Sequence, residues 1–117
     1  MANKTQPDSG LDGRVLDALF QVIEDRRNAD PATSRTAKLF SKGAKKIAQK
    51  VGEEAVEAVI EAVDGDNGAL TAESADLLYH LLVLWAARGL DPAAVWAELE
   101  SRRGTSGIAE KAARPKD

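Results

Sequence analysis

The strongest constraint on this chain is a pair of long helix-forming runs separated by a very short break. Residues 44–63 are rich in Ala, Glu, Lys and Val, and residues 71–88 are dominated by Leu and Ala. Ala, Leu, Glu and Lys are among the best helix formers. Between the runs stands Asp64-Gly65-Asp66-Asn67-Gly68, the clearest loop in the sequence. A break this short makes two helices antiparallel neighbours. Each helix also carries two acids at an i, i+3 spacing, Glu54 with Glu57 and Glu73 with Asp76. Residues so spaced point the same way. Any fold that pairs the two helices therefore sets four carboxylates facing one another.

The remaining segments read as helices too. Val15, Leu16, Leu19, Phe20 and Ile23 form one apolar stripe over residues 14–27. Asp30-Pro31 stops that helix. A short helix is expected over 34–41, anchored by Leu39 and Phe40, with Gly43 separating it from the next. Thr71 is the expected N-cap of the helix over 71–88, and Gly89 its stop. Asp91-Pro92 opens a last helix as N-cap and N1, ending near Arg103-Gly104. No stretch sustains a two-residue alternation, so no strand is predicted. The fold class is all-α, a bundle of about four to five helices. Residues 1–12 read as a flexible arm, 13–104 as one helical domain and 105–117 as a polar, mobile tail. Gly52, inside a helix, marks a close helix approach.

The environment of the acids matters more than their number. In the segment from Ala75 to Ala87 nearly every residue is apolar, which describes a buried helix. Asp76 and His80 sit inside it. An unpaired buried carboxylate costs several kcal/mol on the order-of-magnitude scale, so such groups are paired or bind metal. Glu54, Glu57, Glu73 and Asp76 together offer hard oxygen ligands suited to Mg²⁺, with Mn²⁺ as the alternative. Glu53 and Glu61 read more simply as a solvated face. Glu73 alone could be a first-turn acid serving the helix dipole. His80 reads as a hydrogen-bonded core histidine and as a partner supporting Asp76.

A basic run precedes the acids: Arg35, Lys38, Lys42, Lys45, Lys46 and Lys50. Its bland reading is solubility and helix pairing. Beside converging carboxylates it gains another, in which Arg35, Lys38, Lys46 and Lys50 hold phosphate oxygens. The run is short and poor in aromatics, and the net charge is −3, so nucleic acid is not an expected partner. There is no cysteine, which excludes thiolate chemistry. Gly-rich phosphate loops and Ser/His/Asp arrangements are absent. No segment reads as a secretory signal or membrane span, so the expected place of work is the cytoplasm.

Ser34-Arg35-Thr36-Ala37-Lys38-Leu39-Phe40, then Gly43, then Lys45-Lys46-Ile47-Ala48-Gln49-Lys50-Val51-Gly52-Glu53-Glu54-Ala55-Val56-Glu57 closely resembles the phosphoribosyl-ATP pyrophosphatases. Glu73-Ser74-Ala75-Asp76-Leu77-Leu78-Tyr79-His80-Leu81 continues the match, as do Ser106-Gly107-Ile108 and Glu110-Lys111-Ala112. The resemblance spans roughly residues 14–114. The acid pattern alone marks only the wider all-α nucleotide pyrophosphohydrolases; the Lys-Val-Gly-Glu-Glu-Ala and Asp-Leu-Leu-Tyr-His stretches narrow it. The resemblance implies an all-α bundle, Mg²⁺ dependence and a homodimer or larger assembly. It implies hydrolysis of phosphoribosyl-ATP to phosphoribosyl-AMP and pyrophosphate, the second step of histidine biosynthesis. Carried over by position, Glu54, Glu57, Glu73 and Asp76 become metal ligands, and Glu53 or one of these four orients the attacking water. One departure is Arg35, where the family suggests Tyr; an arginine there replaces stacking with a phosphate contact. Two other readings stand beside this one: a house-cleaning nucleoside triphosphate pyrophosphohydrolase, and a non-catalytic helical dimerisation module. The substrate's second phosphate is expected on Lys46 and Lys50, or failing them near Arg35 or the tail.

Overall fold

The computed structural model describes residues 10–104 and 107–115. Most of the expected N-terminal arm, and Ser106 of the tail motif, lie outside the described residues. Six α-helices are present among those described: α1 (Arg14–Asp25), α2 (Arg35–Lys42), α3 (Ala44–Asp64), α4 (Asn67–Arg88), α5 (Pro92–Arg102) and α6 (Gly107–Ala113). No strand occurs among them. The expected bundle of four to five helices is thus five, with the short α6 added in the polar tail.

Local chemistry sets the boundaries. Ser34 sits in the extended region and its hydroxyl accepts from the Ala37 N–H at 3.1 Å, capping α2. Gly43 ends α2 and begins α3 with φ 87°, a value that favours glycine. That single residue makes the corner between the basic helix and the acidic one. Gly89 is left-handed, with its N–H on Ala86 O and the Leu90 N–H on Trp85 O at 2.9 Å. This is a Schellman stop. Asp91 caps α5 through the Ala93 N–H, with Pro92 following at N1.

The start of α4 differs from expectation. Asp66, not Thr71, is the N-cap; its carboxylate accepts from the Ala69 N–H at 2.8 Å. The Thr71 hydroxyl instead donates to Asn67 O one turn back, at 2.7 Å. Asp66 outcompetes Thr71 because it stands directly after the chain reversal, where the first free N–H groups appear. The link between α3 and α4 shrinks to Gly65 and Asp66.

The core gathers at one end of the α3–α4 hairpin. Ile23 of α1, Leu39 of α2, Ile47 of α3 and Leu82, Val83 and Ala86 of α4 form one buried cluster. Arg27 ties α1 to it, donating to Ala86 O at 2.7 Å while lying over the Phe40 ring. Trp96 of α5 donates to Asp17 of α1 at 2.9 Å and meets Trp85 edge-on. Away from this base, α3 and α4 pack chiefly on each other among the described residues. Val59 is 62% exposed and Val63 75%, with Val56, Ile60 and Leu78 also on the surface. The expectation that α4 is buried all round therefore holds near His80, Leu82, Val83 and Ala86 but not at Ala75 and Leu78. Nor does Gly52 mark a close approach among the described residues: none of them comes within 4 Å of where a Cβ would stand, its own helix backbone aside.

Candidate active site

Half-way along the hairpin the acids meet. Glu54 and Glu57, one turn apart on α3, face Glu73 on the antiparallel α4. One carboxylate oxygen from each lies within 4.8 Å of the other two. Glu54 is only 6% exposed, Glu73 is half-buried and Glu57 is on the surface. Lys50, one turn before Glu54, places Nζ 3.4 Å from its Oε2. Glu73 has no such relief: its Oε1 is shielded from solvent and has no hydrogen-bond partner. Burial first, then the neighbouring charges of Glu57, Asp76 and Glu54, push its pKa above the ordinary glutamate range. A shielded, unpartnered oxygen facing two more carboxylates is a site short of positive charge. These residues fit a hard divalent cation, which takes oxygen donors of this kind.

Asp76 is one turn further along α4 and falls outside the three-oxygen group, yet its charge still reaches Glu73. It lines a cleft of ≈ 590 Å³ with Arg26, Thr33, Ser34, Arg35 and Tyr79. Glu53 is not part of the three-oxygen group. It accepts from Gln49 Nε2 at 3.1 Å and pairs with Lys50 at 3.5 Å. The Gln49 hydrogen bond chiefly, helped by Lys50, lowers its pKa.

The basic residues surround the acids on the α2 side. Arg35, Lys38, Lys42 and Lys50 line a hollow of ≈ 260 Å³ floored by Leu39 and His80. Lys46 lies further out and reaches Gln49 Oε1 at 3.5 Å. His80 is fully buried. Its Nδ1 is 2.7 Å from Asp76 O, and its Nε2 is 3.4 Å from Arg35 Nη2. A guanidinium only donates and a carbonyl only accepts. With its Nδ1 hydrogen on Asp76 O and Nε2 facing the guanidinium, His80 joins the Asp76 backbone to Arg35. Its link to Asp76 runs through the main chain, not the carboxylate. Arg35 also lies over the Tyr79 ring, whose hydroxyl meets Thr36 Oγ1 at 2.7 Å.

A family profile described as phosphoribosyl-ATP pyrophosphohydrolase matches residues 16–103. The chain belongs to that family. A phosphoribosyl-ATP pyrophosphatase of Azospirillum brasilense is 65% identical over 104 residues, covering 89% of this chain and 94% of the relative. Another from Roseobacter denitrificans is 64% identical over 100 residues, with 86% and 95% covered. A third, from Granulibacter bethesdensis, is 60% identical over 110 residues, with 94% and 68% covered. For a pyrophosphohydrolase fold of this kind, Glu54, Glu57 and Glu73 are legible from spacing alone. Arg26, Tyr79 and Thr36 are not. Arg26 looks like an ordinary cation just past a helix end, and Tyr79 and Thr36 meet across 43 residues of sequence.

Proposed function

We propose that this chain hydrolyses phosphoribosyl-ATP to phosphoribosyl-AMP and pyrophosphate in the cytoplasm, the second step of histidine biosynthesis. The observation carrying this reading is the convergence of Glu54, Glu57 and Glu73 beside Lys50, in a chain whose relatives bear that name. Mg²⁺ is the proposed cation, with Mn²⁺ as substitute, held by Glu54, Glu57 and Glu73 with Asp76 completing the set. When bound it supplies charge neutralisation to the triphosphate and to the pyrophosphate that leaves. Lys50, shared between Glu54 and the hollow, contacts phosphate oxygens next to the acids; Lys38 and Lys46 extend that contact outward. Arg35 reaches the substrate from the opposite wall, and His80 holds it there. Glu53, whose carboxylate Gln49 and Lys50 hold in the ionised form, or one of the four acids accepts a hydrogen bond from the attacking water and so orients it.

A homodimer is part of this proposal. Val56, Val59, Ile60 and Val63 form an exposed stripe at helical spacing on α3, with Gly52 one turn before it. Apolar stripes of this length mark association surfaces, and a two-fold partner covers the same stripe on both copies.

The test is a product assay offering phosphoribosyl-ATP and a panel of ordinary nucleoside triphosphates with Mg²⁺. Phosphoribosyl-AMP and pyrophosphate should form in equal amounts, and the panel should react far more slowly. Preference for ordinary triphosphates would favour a house-cleaning hydrolase instead, and no turnover of any nucleotide would leave the dimerisation module.

A further inference from the structure

The ≈ 590 Å³ cleft lies outside the three-glutamate group, at the junction of α1, α2 and α4. Its charge is unusual for this chain. Arg14, Arg27, Arg102 and Arg103 each sit against a carboxylate, on Asp12, Glu24, Glu98 and Glu100 respectively. Arg88 occupies the last turn of α4, where a cation meets the helix C-terminus. Arg26 and Arg35 have no carboxylate within salt-bridge distance among the described residues, and both line this cleft, with Asp76 as its one acidic wall residue.

A hydroxyl group adds a donor. Ser34 Oγ accepts from the Ala37 N–H, so its own hydrogen remains to donate, while Thr33 beside it in the wall donates its hydroxyl to Asp30 O at 3.4 Å. Two guanidinium forks and the Ser34 hydroxyl are a donor set that suits a phosphomonoester, since arginine pairs phosphate in a two-pronged manner. The lysine-lined hollow lies on the other side of Arg35, and its Lys50 is fixed beside Glu54. The site thus has two cationic lobes that share Arg35. A phosphoribosyl nucleotide has two anionic ends, a triphosphate and the single phosphate of its added ribose. An ordinary nucleoside triphosphate has one.

Resting on the function proposed above, we infer that the Arg26–Arg35 cleft holds the phosphomonoester of the added ribose, and that Arg26 distinguishes a phosphoribosyl nucleotide from a plain one. This moves the second phosphate from Lys46 and Lys50, which face the triphosphate end, to the opposite lobe. Arg26 is a specificity residue that touches substrate and lies outside the three-glutamate group.

The test compares the full-length protein with Arg26→Ala and Arg26→Lys, after checking that each keeps its helix content. Two kinetic readouts are taken: KM for phosphoribosyl-ATP, and the inhibition constant of AMP, which lacks the added ribose phosphate. Losing one charge-assisted contact should raise KM about tenfold or more in Arg26→Ala, with partial recovery in Arg26→Lys. The AMP constant should change less than about threefold. An unchanged KM overturns the inference, and so does an AMP constant that rises in step with KM, because the cleft would then serve a part common to both ligands. Calorimetry with ribose 5-phosphate, against ribose as control, separates this inference from the wider reading. If the wild-type protein fails to split phosphoribosyl-ATP, the proposed reaction falls, while the cleft stands or falls on whether Arg26→Ala weakens ribose 5-phosphate binding.

Discussion

Glu73 concentrates the chemistry of the site in one side chain. Its raised pKa means that the folded, metal-free chain holds a proton there more tightly than the unfolded chain does. The stability this gives is fully present below the ordinary glutamate pKa of 4.5 and is lost as pH rises through the higher folded value. Glu73→Gln should therefore stabilise the cation-free protein at neutral pH relative to wild type while abolishing turnover; thermal melts in chelator, set beside activity assays, check both halves. A proton and a cation also compete for the same oxygens, so Mg²⁺ affinity should fall as pH drops through that raised value, later in Glu73→Gln or not at all. Titration calorimetry at several pH values reads this directly. Asp76 is the second residue to test. Asp76→Asn should weaken Mg²⁺ binding by roughly 10–100-fold with helix content intact, and near-normal turnover would remove it from the proposed ligand set. The i, i+3 spacing revealed the direction of all four acids, because helix geometry fixes direction. It could not reveal reach, and reach is what leaves Asp76 beside the cleft while three glutamates close on one another.

Helices α3 and α4 carry the site, and their ends decide its register. Asp66 caps α4 through the Ala69 N–H. Asp66→Ala should cost about 0.5–2 kcal/mol, whereas Thr71→Ala should cost little, because the Thr71 hydroxyl only returns to a carbonyl of its own helix. Denaturant midpoints for the two variants would show the order, and a reversed order would restore the cap to Thr71. The sequence pattern places the cap five residues late for a physical reason. Asn67 and Gly68 weaken helix propensity, and propensity yields to a good cap and a packed partner. The helical runs themselves were legible throughout, since Ala, Leu, Glu and Lys at 3.6-residue spacing admit little else. The tail helix α6 was missed because seven residues of mixed polarity carry almost no periodic signal.

At the scale of the molecule, the sequence revealed that apolar residues encircle α4 but not what covers them. Within one chain the answer is incomplete: the core closes around Ile47, Leu82 and Val83, and the far half of the hairpin keeps Val56, Val59 and Val63 at the surface. If a second copy covers that stripe, Val59→Glu should shift the protein to monomer and lower activity together, as read by light scattering and steady-state rates. A wild-type monomer at micromolar concentration would remove the dimer from the proposal. The same geometry grades the backbone itself. Amides of α3 near Ile47 and of α4 near Val83 are locked by the buried cluster, so they should exchange with deuterium only when the whole domain opens. Those beyond Glu57 and before Glu73 are held by one neighbouring helix, so they should open locally and exchange sooner. The three glutamates lie where slow exchange gives way to fast, and a cation bridging α3 to α4 would act as a rung on that ladder, carrying protection outward toward Gly65.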